Sequence, residues 1–480
     1  MKFIKNALGK YQAMGAPAKA AAWYTICNIL QKGISFIVVP IYVRVLSTAE
    51  YGQYTVFQSW REIIVILATL NLYCGVFTKA MVDYPDDRHR YTSCMQTLST
   101  LITSVLLVVY LTAKDFWNQC LDMSTTTVLM MFAYFVFYPA IQFWSVHQRV
   151  VYRYKRMVAL TMLISVLTPV VSLLLLEVTP LRAEAVIYGS MLVQIIVGIF
   201  IYIWGYIKGK CLFCKEYWIS ALKFNIPLIP HYLSLIALSQ VDRIMIKQMS
   251  GDDKAGIYGF TFSISQLMNI FVSAINSAVV PWIYENIKNK RYKDIAKVAN
   301  GLCVLVGILT MGVILVAPEV VAILGTEEYR EAIWIIPPLS LSVFYTFCYG
   351  MFSNVEFYFS ATKYVMIASA VAALLKMVLN WLSIPLFGYL VAGYTTLVCY
   401  IFLMVLHYLF MRHICKKEIN GTAVYDNKTL FLLSGGMLVM MLVCLLFYSN
   451  TWLRYGVILL GLIALVIFRK RVMKIVKQIM

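Results

Sequence analysis

Apolar runs of about twenty residues recur along the whole chain, separated by short clusters of charged and turn-forming residues. A helix of that length crosses the ~30 Å hydrocarbon core of a bilayer. Because lipid offers no hydrogen-bond partners, each run must satisfy its own backbone groups, which favours helices. The strict alternation of apolar and polar residues that is typical of a membrane β-barrel is absent. The pattern predicts an all-α polytopic membrane protein.

The apolar runs between charged breaks predict about 14 transmembrane helices. Their predicted ranges are 22–44, 53–77, 93–112, 125–146, 158–177, 185–206, 225–247, 257–283, 298–318, 332–353, 364–383, 388–410, 429–448 and 452–468. Very short breaks at 47–52, 384–388 and 448–452 predict tight helical hairpins. The first run continues into the forties, which is too long for the apolar core of a signal peptide, so we expect a retained helix.

Composition supports the same class. The chain has 480 residues, of which 61% are hydrophobic and 13% charged, and its mean hydropathy is +0.77. A soluble domain carries roughly 25% charged residues, so a soluble enzyme of this composition is excluded. The net charge of +19 is interpreted as cytoplasmic loop charge rather than as a nucleic-acid surface. No nucleic-acid partner is expected.

The positions of Lys and Arg predict the orientation. With the N-terminus inside, 30 of the 41 Lys and Arg fall in cytoplasmic segments and seven fall outside. We therefore expect a multi-pass protein of the cytoplasmic (inner) membrane with both termini in the cytoplasm. Each predicted outside loop is short, about a dozen residues at most, which leaves no room for a catalytic domain. We predict no enzyme activity, no catalytic residues, no metal site and no bound cofactor.

A repeated motif divides the predicted helices into halves. Gly52-x-Tyr54 and Gly256-x-Tyr258 each open the second helix of a predicted bundle. Six predicted spans lie between the copies, so both halves have the same orientation, as in transporters with parallel repeats. The repeat predicts two pseudo-symmetric six-helix bundles around a V-shaped central cavity, at residues 1–207 and 208–412. Two further helices and a basic tail make up residues 413–480.

A few polar and charged residues fall inside the predicted spans. They are Gln31, Lys32, Arg61, Glu62, Asp242, Arg243 and Lys376. A charge at the bilayer centre costs at least about 2.5–3.5 kcal/mol, so each should face the protein interior or a water-filled cavity. Neighbouring residues on a helix point in different directions, so we expect Arg61 and Glu62 to have partners on other helices.

Two explanations of these charges remain open. They form buried ion pairs that fix packing, or they line a cleft for an anionic substrate. The surplus of cations favours a diphosphate, which suits a forked guanidinium and a point-charge ammonium. We assign substrate binding to Lys32, Arg61, Arg243, Lys376 and Gln31, and ion coupling to Asp242 and Glu62. Lys32 is predicted to pair with Asp242, and Glu356 is predicted to be a solvated edge residue.

The motifs resemble those of the polysaccharide or O-antigen flippases. STAEYGQYTVFQS follows the first span, and VDRIMIKQMSGDDKAGIYGFTFSI crosses the seventh and eighth. The resemblance covers nearly the whole chain and places it in the multidrug/oligosaccharidyl-lipid/polysaccharide exporter superfamily. Related lipid-precursor flippases carry cations in their first, second and eighth helices. Lys32 and Arg61 match the first two positions, but the eighth span here has no Lys or Arg.

This resemblance implies a function. The cargo would be an undecaprenyl-diphosphate-linked oligosaccharide, an O-antigen or capsule repeat unit, moved from the inner to the outer leaflet. Alternating access coupled to H+ or Na+ would drive it. Membrane lipids, a glycan polymerase and a chain-length regulator are the implied partners. The alternatives are a multidrug exporter of the same superfamily, an enzyme such as a membrane glycan polymerase or ligase, and an ion channel, which the pseudo-two-fold plan disfavours.

Overall fold

A computed structural model of the chain describes residues 15–461 and 463. Over those residues the regular structure is entirely helical, which confirms the predicted class. The α-helices are α1 (Ala16–Val45), α2 (Thr48–Thr69), α3 (Val76–Asp83), α4 (Arg88–Thr112), α5 (Lys114–Leu121), α6 (Thr125–Val150), α7 (Tyr154–Val178), α8 (Ala183–Gly209), α9 (Lys215–Asn225), α10 (Ile229–Ser250), α11 (Asp252–Ser265), α12 (Met268–Lys288), α13 (Tyr292–Leu315), α14 (Ala317–Leu324), α15 (Ile336–Tyr358), α16 (Thr362–Phe387), α17 (Val391–Glu418) and α18 (Asn427–Leu446). Short 3-10 helices cover Ile226–Leu228 and Glu327–Trp334, and residues 451–461 are helical.

The structure shows fewer candidate membrane spans among its described residues than the 14 predicted for the chain. Within the described part of the chain, eleven helical segments are long and apolar enough to cross a membrane, and a twelfth is the pair Glu327–Trp334 and Ile336–Tyr358, bent by 49°. The count of 14 is therefore not confirmed. Helix α2 does not reach the same hydropathy because Gln, Ser, Arg and Glu residues interrupt it. The last predicted span, 452–468, extends beyond the described residues, which end at 461 and 463.

The described chain forms two compact units. Unit 1 comprises the residues up to Val38 together with Phe57–Leu233. Unit 2 comprises Val39–Val56 and the chain from Ser234 onward. These boundaries differ from the predicted bundles at 1–207 and 208–412, which stay a prediction.

In unit 1, α2 ends at a turn that the following helices stabilise. Leu70 and Asn71 adopt left-handed backbone angles, with φ of 46° and 49°. The side-chain amide of Asn225 donates to the carbonyl oxygens of both residues, each at 3.1 Å. These bonds satisfy carbonyl groups that the end of α2 leaves without helical partners. Pro227 follows in the 3-10 segment Ile226–Leu228, which interrupts the α-helix at the start of the seventh predicted span.

In unit 2, α15 is the central helix, because 17 of its 23 residues are buried. Helix α18 is held on this core by side chains as well as by apolar packing. The Tyr345 hydroxyl donates to the Ser434 carbonyl at 2.8 Å, and the Tyr448 hydroxyl donates to the Ile314 carbonyl at 2.5 Å. The first helix after the twelfth predicted span is therefore an integral part of unit 2.

The repeated glycines meet in unit 2. Ser47 and Glu50 form a capping box at the start of α2, within the predicted short break at 47–52, with reciprocal bonds of 2.8 and 3.2 Å. A β-carbon on Gly52 would overlap the carbonyl oxygen of Asp252, and one on Gly256 would overlap that of Thr48. The beginnings of α2 and α11 are therefore in direct backbone contact, which only glycine permits.

We expect Gly256→Ala to destabilise unit 2. The new methyl group must push the beginnings of α2 and α11 apart, and overpacking of this kind costs about 1–3 kcal/mol. Thermal unfolding of the purified protein in detergent measures the loss. Gly350→Ala is the matched control, because it lies within α15 with open space around it and gains helix propensity. Equal stability of the two variants would show that the glycine contact is not tight.

Candidate functional site

A fully buried ion pair of unit 2 is centred on Asp242 of α10. The ammonium of Lys376, on α16, lies 2.6 Å from Asp242 Oδ2. The same ammonium donates to the backbone carbonyl of Leu238, one helical turn before Asp242. Both charged side chains are fully buried. A buried ion pair of this kind requires further hydrogen bonds to offset the cost of removing both charges from water.

Three more donors complete the coordination of the Asp242 carboxylate. Tyr258 on α11 donates its hydroxyl to Oδ2 at 2.6 Å, and Thr396 on α17 donates to the same oxygen at 3.2 Å. The side-chain amide of Asn380 donates to Oδ1 at 2.7 Å. Asn380 lies one turn after Lys376 on α16, so one helix face supplies both groups. Four helices thus converge on one carboxylate, with zero net charge over Asp242 and Lys376.

This arrangement corrects one sequence interpretation and changes another. Lys32 was predicted as the partner of Asp242, but the ion pair that the structure shows for Asp242 is with Lys376. The prediction relied on the equivalence of the first and seventh spans, whereas the actual partner comes from a neighbouring helix of the same unit. Lys376 was grouped with the substrate-binding residues. Its burial and its contact with Asp242 place it beside the predicted ion-coupling residue.

Arg243 is directed to a different set of neighbours from Asp242. Its guanidinium donates to the side chain of Gln240 and lies 4.3 Å from the centre of the Phe262 ring. It is only 6% exposed. Contact with an aromatic face offsets part of the cost of burying a guanidinium.

In unit 1, Arg61 and Glu62 on α2 form an ion pair. Arg61 Nη2 lies 3.1 Å from Glu62 Oε1. Partners on other helices were expected for both residues because neighbouring side chains leave a helix in different directions; the structure instead pairs the two neighbours, and it also places Arg61 against Tyr134 of α6. Both side chains are long enough to bend toward each other. The Glu62 side chain remains 41% exposed, whereas that of Arg61 is 13% exposed.

Three tyrosine rings lie in a chain of contacts beside Arg61. The guanidinium carbon lies 5.4 Å from the centre of the Tyr134 ring. Tyr134 stacks on Tyr138 at 4.8 Å, and Tyr138 meets Tyr73 edge to face at 6.0 Å. Arg61 is therefore held between a carboxylate and an aromatic face, a position that a lysine would not reproduce.

Lys32 and Gln31 lie on α1 within the part assigned to unit 1, and both side chains are exposed on the protein surface. The structure places them in the same unit as Arg61 and Glu62. Arg243 and Lys376 belong to unit 2 with Asp242. The predicted site residues thus fall into two groups, one in each unit.

Glu356 was predicted to be a solvated edge residue, and this is also wrong. Its side chain is fully buried. The two carboxylate oxygens, Oε1 and Oε2, lie 2.9 and 3.0 Å from Nδ1 of His407. Although Glu356 is only two residues from the end of α15, its carboxylate lies against His407, which is eleven residues before the end of α17. Proximity to a helix end therefore did not imply contact with water.

A family model described as polysaccharide biosynthesis protein matches residues 18–287, more than half of the chain. The chain belongs to this family. A second family model, described as MatE, matches residues 227–382. The polysaccharide-family match includes α1, α2 and α10, which carry Lys32, Arg61 and Asp242.

Curated relatives of this polysaccharide biosynthesis family member match only in part. The chain is 34% identical over 70 residues to Lsg locus putative protein 1 of Haemophilus influenzae, which covers 15% of this chain and 18% of that protein. It is 28% identical over 158 residues to an uncharacterized membrane protein of the same organism, covering 32% and 38% respectively. The matched parts span less than two fifths of either relative's length.

Solved structures show which fold the family member adopts. The lipid II flippase MurJ in an inward closed conformation superimposes with a TM-score of 0.65 at 14% identity, over 94% of this chain and 99% of that one. An inward-facing multidrug resistance transporter of the MATE family and MOP superfamily gives 0.60 at 13% identity, over 82% and 96%. The protein is therefore a multi-pass membrane protein with the fold shared by these flippases and transporters.

Three sets of side chains that contact Asp242 or Arg61 in the structure were not predicted from the sequence. Tyr258 was noted only as part of the repeated glycine-tyrosine motif, yet it donates to Asp242. Thr396 and the tyrosines beside Arg61 carried no signal in one sequence, because Thr and Tyr are common in membrane helices. The four-residue spacing of Lys376 and Asn380 was a signal that both face one partner.

Proposed function

We propose that this protein moves an undecaprenyl-diphosphate-linked oligosaccharide from the inner to the outer leaflet of the cytoplasmic membrane by ion-coupled alternating access. The family match over residues 18–287 is the observation that carries the proposal, because it assigns the chain to polysaccharide biosynthesis. The fold shared with a lipid II flippase supports a lipid-linked cargo. Under this proposal both termini are cytoplasmic, and a glycan polymerase and a chain-length regulator act on the product.

The diphosphate site is proposed to lie in unit 1. Arg61 offers a planar forked donor that suits the oxygens of a phosphate. Glu62, which pairs with Arg61, is part-exposed, so an arriving diphosphate can replace that carboxylate and form the stronger interaction. Lys32 supplies a second, exposed cation in the same unit, and Gln31 a neighbouring amide.

The coupling site is proposed to be the pair of Asp242 and Lys376 in unit 2. Lys376 already supplies the positive charge beside the carboxylate, so a sodium ion would have to displace a buried ammonium. A proton needs no such displacement, since Asp242 can accept it and release Lys376. Proton binding at Asp242 would break the ion pair and allow the four contacting helices to rearrange. We therefore propose a proton as the coupling ion.

Ligand binding by the purified protein tests the cargo class. Binding is followed by the quenching of the fluorescence of the 10 tryptophans. We expect the affinity for undecaprenyl diphosphate to be at least ten times higher than that for undecaprenol. A diphosphate that engages Arg61 and Lys32 adds charge-assisted bonds of about 1.5–3 kcal/mol. A cationic drug such as ethidium should show no saturable binding.

The opposite result would favour the multidrug exporter, which the fold of the inward-facing multidrug transporter also allows. Saturable binding of ethidium together with equal affinity for undecaprenol and undecaprenyl diphosphate would overturn the proposal. The Arg61→Ala variant is the internal control, because it should lower only the affinity for the diphosphate.

A further inference from the structure

The pair formed by Glu356 and His407 is unexplained by the proposed cargo and coupling sites. Both side chains are buried, at 0% and 2% exposure. Both carboxylate oxygens lie within 3.0 Å of one imidazole nitrogen, Nδ1. Among residues 15–461 and 463, no other side chain shares a hydrogen bond or ion pair with either member. The two groups therefore depend on each other for charge balance.

Neutrality of this pair requires one titratable proton. With that proton the pair is either carboxylate and imidazolium or carboxylic acid and imidazole, and the sum of charges is zero. Without it a carboxylate faces a neutral imidazole, which leaves a net charge of −1 in an apolar interior. Burial of an uncompensated charge is costly, so the pair retains its proton until water or a cation reaches it.

Aromatic rings connect this pair with the rest of unit 2. The His407 ring stacks on Tyr349 at 5.3 Å, and Tyr349 stacks on Tyr400 at 6.3 Å. Both tyrosines pack against the apolar cluster that contains Leu238, whose carbonyl accepts from Lys376. The stack therefore leads from Glu356 and His407 toward the proposed coupling site.

The two charged sites lie at different levels of α17. Thr396, at the coupling site, precedes His407 by eleven residues, or about 16 Å at the rise of an α-helix. Other titratable or charged side chains on the elements packed around Glu356 and His407 include Cys348 of α15, Tyr408, Arg412, His413 and Cys415 of α17, Cys303 of α13, Tyr284 of α12, Tyr364 of α16 and Tyr425 before α18. The hydroxyl of Tyr425 is already engaged, since it donates to the Met351 carbonyl at 2.8 Å.

We infer that Glu356 and His407 form a second proton-binding site in unit 2, distinct from Asp242 and Lys376. In the transport cycle, which rests on the proposed function, this site holds a proton while α15 and α17 are closed over it. It releases the proton when the helices separate and water stabilises the carboxylate. One proton then leaves the imidazole or carboxylic acid, and no other bond changes.

The protonation of His407 can be measured in the full-length protein. We propose nitrogen NMR of the protein labelled with 15N-histidine in lipid nanodiscs between pH 5 and 9, with the signal assigned by its loss in His407→Gln. We expect Glu356→Gln to lower the proton affinity of His407 at least tenfold, because the compensating carboxylate is gone. His413→Gln is the matched control, an exposed histidine on the same helix, and should leave the His407 signal unchanged.

A double variant separates the loss of the proton-binding groups from a loss of folding. Glu356→Gln combined with His407→Gln keeps two hydrogen-bonding amides in contact but binds no proton. We expect it to fold. The change of its transport rate with pH, measured with a pH-sensitive dye in proteoliposomes, should be at least tenfold smaller than that of the natural protein. A His407 signal that is unchanged by Glu356→Gln, or a double variant with the pH profile of the natural protein, would overturn the inference. If the protein moves no lipid-linked glycan but His407 titrates in a manner that depends on Glu356, the proposed function fails and the proton site stands.

Discussion

Asp242→Asn and Lys376→Met should each destabilise the protein by about 3–5 kcal/mol, because either change leaves a buried charge without its partner. Asp242 accepts four donors, and Lys376 has Asp242 and the Leu238 carbonyl as its two acceptors. Removal of one charge therefore also leaves several buried hydrogen-bonding groups poorly satisfied. We expect reduced amounts in the membrane and a lower unfolding temperature for both single variants.

The double variant separates stability from transport. Asp242→Asn with Lys376→Met removes both charges, so most of the lost stability should return, as it does when buried ion pairs are replaced as a unit. Under the proposed coupling, glycan display should remain absent because no proton can break a pair that no longer exists. Full glycan display by a stable double variant would contradict the coupling role, although it would leave the packing role intact.

An exposed ion pair provides the control for charge removal. Arg330 and Glu327 lie 3.4 Å apart, with side chains that are 80% and 89% exposed. Pairs of this kind contribute about 0–1 kcal/mol, so Arg330→Met should leave the unfolding temperature nearly unchanged. If Asp242→Asn is as harmless as Arg330→Met, the ion pair is not buried in the membrane-embedded protein.

The fold was largely predictable because membrane insertion depends on properties that a single sequence displays. Apolar runs long enough to cross the bilayer predicted the helical class, and the short breaks predicted helix boundaries that the structure contains. The repeated glycines were found by their spacing, and their backbone contact explains why no larger residue occupies either position. The count of spans was less predictable, because α2 carries Arg61 and Glu62 in its interior.

The partners of the charged residues were not predictable from the same information. The sequence shows that Asp242 and Lys376 need compensation but not which helix faces which, since that depends on packing angles among α10, α16 and α17. Arg61 and Glu62 show a second limitation. Helical geometry sets where each side chain begins, whereas long side chains have enough rotatable bonds to meet beyond it. Glu356 adds a third, because the neighbouring α17 determines its exposure.

The second large effect is expected from Arg61. Arg61→Ala should abolish glycan display while the amount of protein in the membrane stays normal, because Glu62, which pairs with Arg61, is part-exposed and can be solvated when the cation is removed. Loss of a charge-assisted contact costs about 1.5–3 kcal/mol, which corresponds to a roughly ten- to hundredfold lower affinity for the diphosphate. Surface glycan staining and quantitative blotting of membranes measure the two quantities.

Substitutions of Arg61 and Glu62 test whether Arg61 binds the diphosphate through its positive charge alone or through the paired N–H donors of its planar guanidinium. Arg61→Lys keeps the positive charge but loses the planar donor and the contact with Tyr134, so we expect partial display, between the natural protein and Arg61→Ala. Glu62→Gln frees the guanidinium from its competing carboxylate and should tighten the binding of undecaprenyl diphosphate. If Arg61→Lys is as active as the natural protein, a point charge suffices and the forked contact has no role. If cells with Arg61→Ala also display normal glycan, the diphosphate does not bind at Arg61. The neighbouring tyrosines then serve only to pack a partly buried guanidinium.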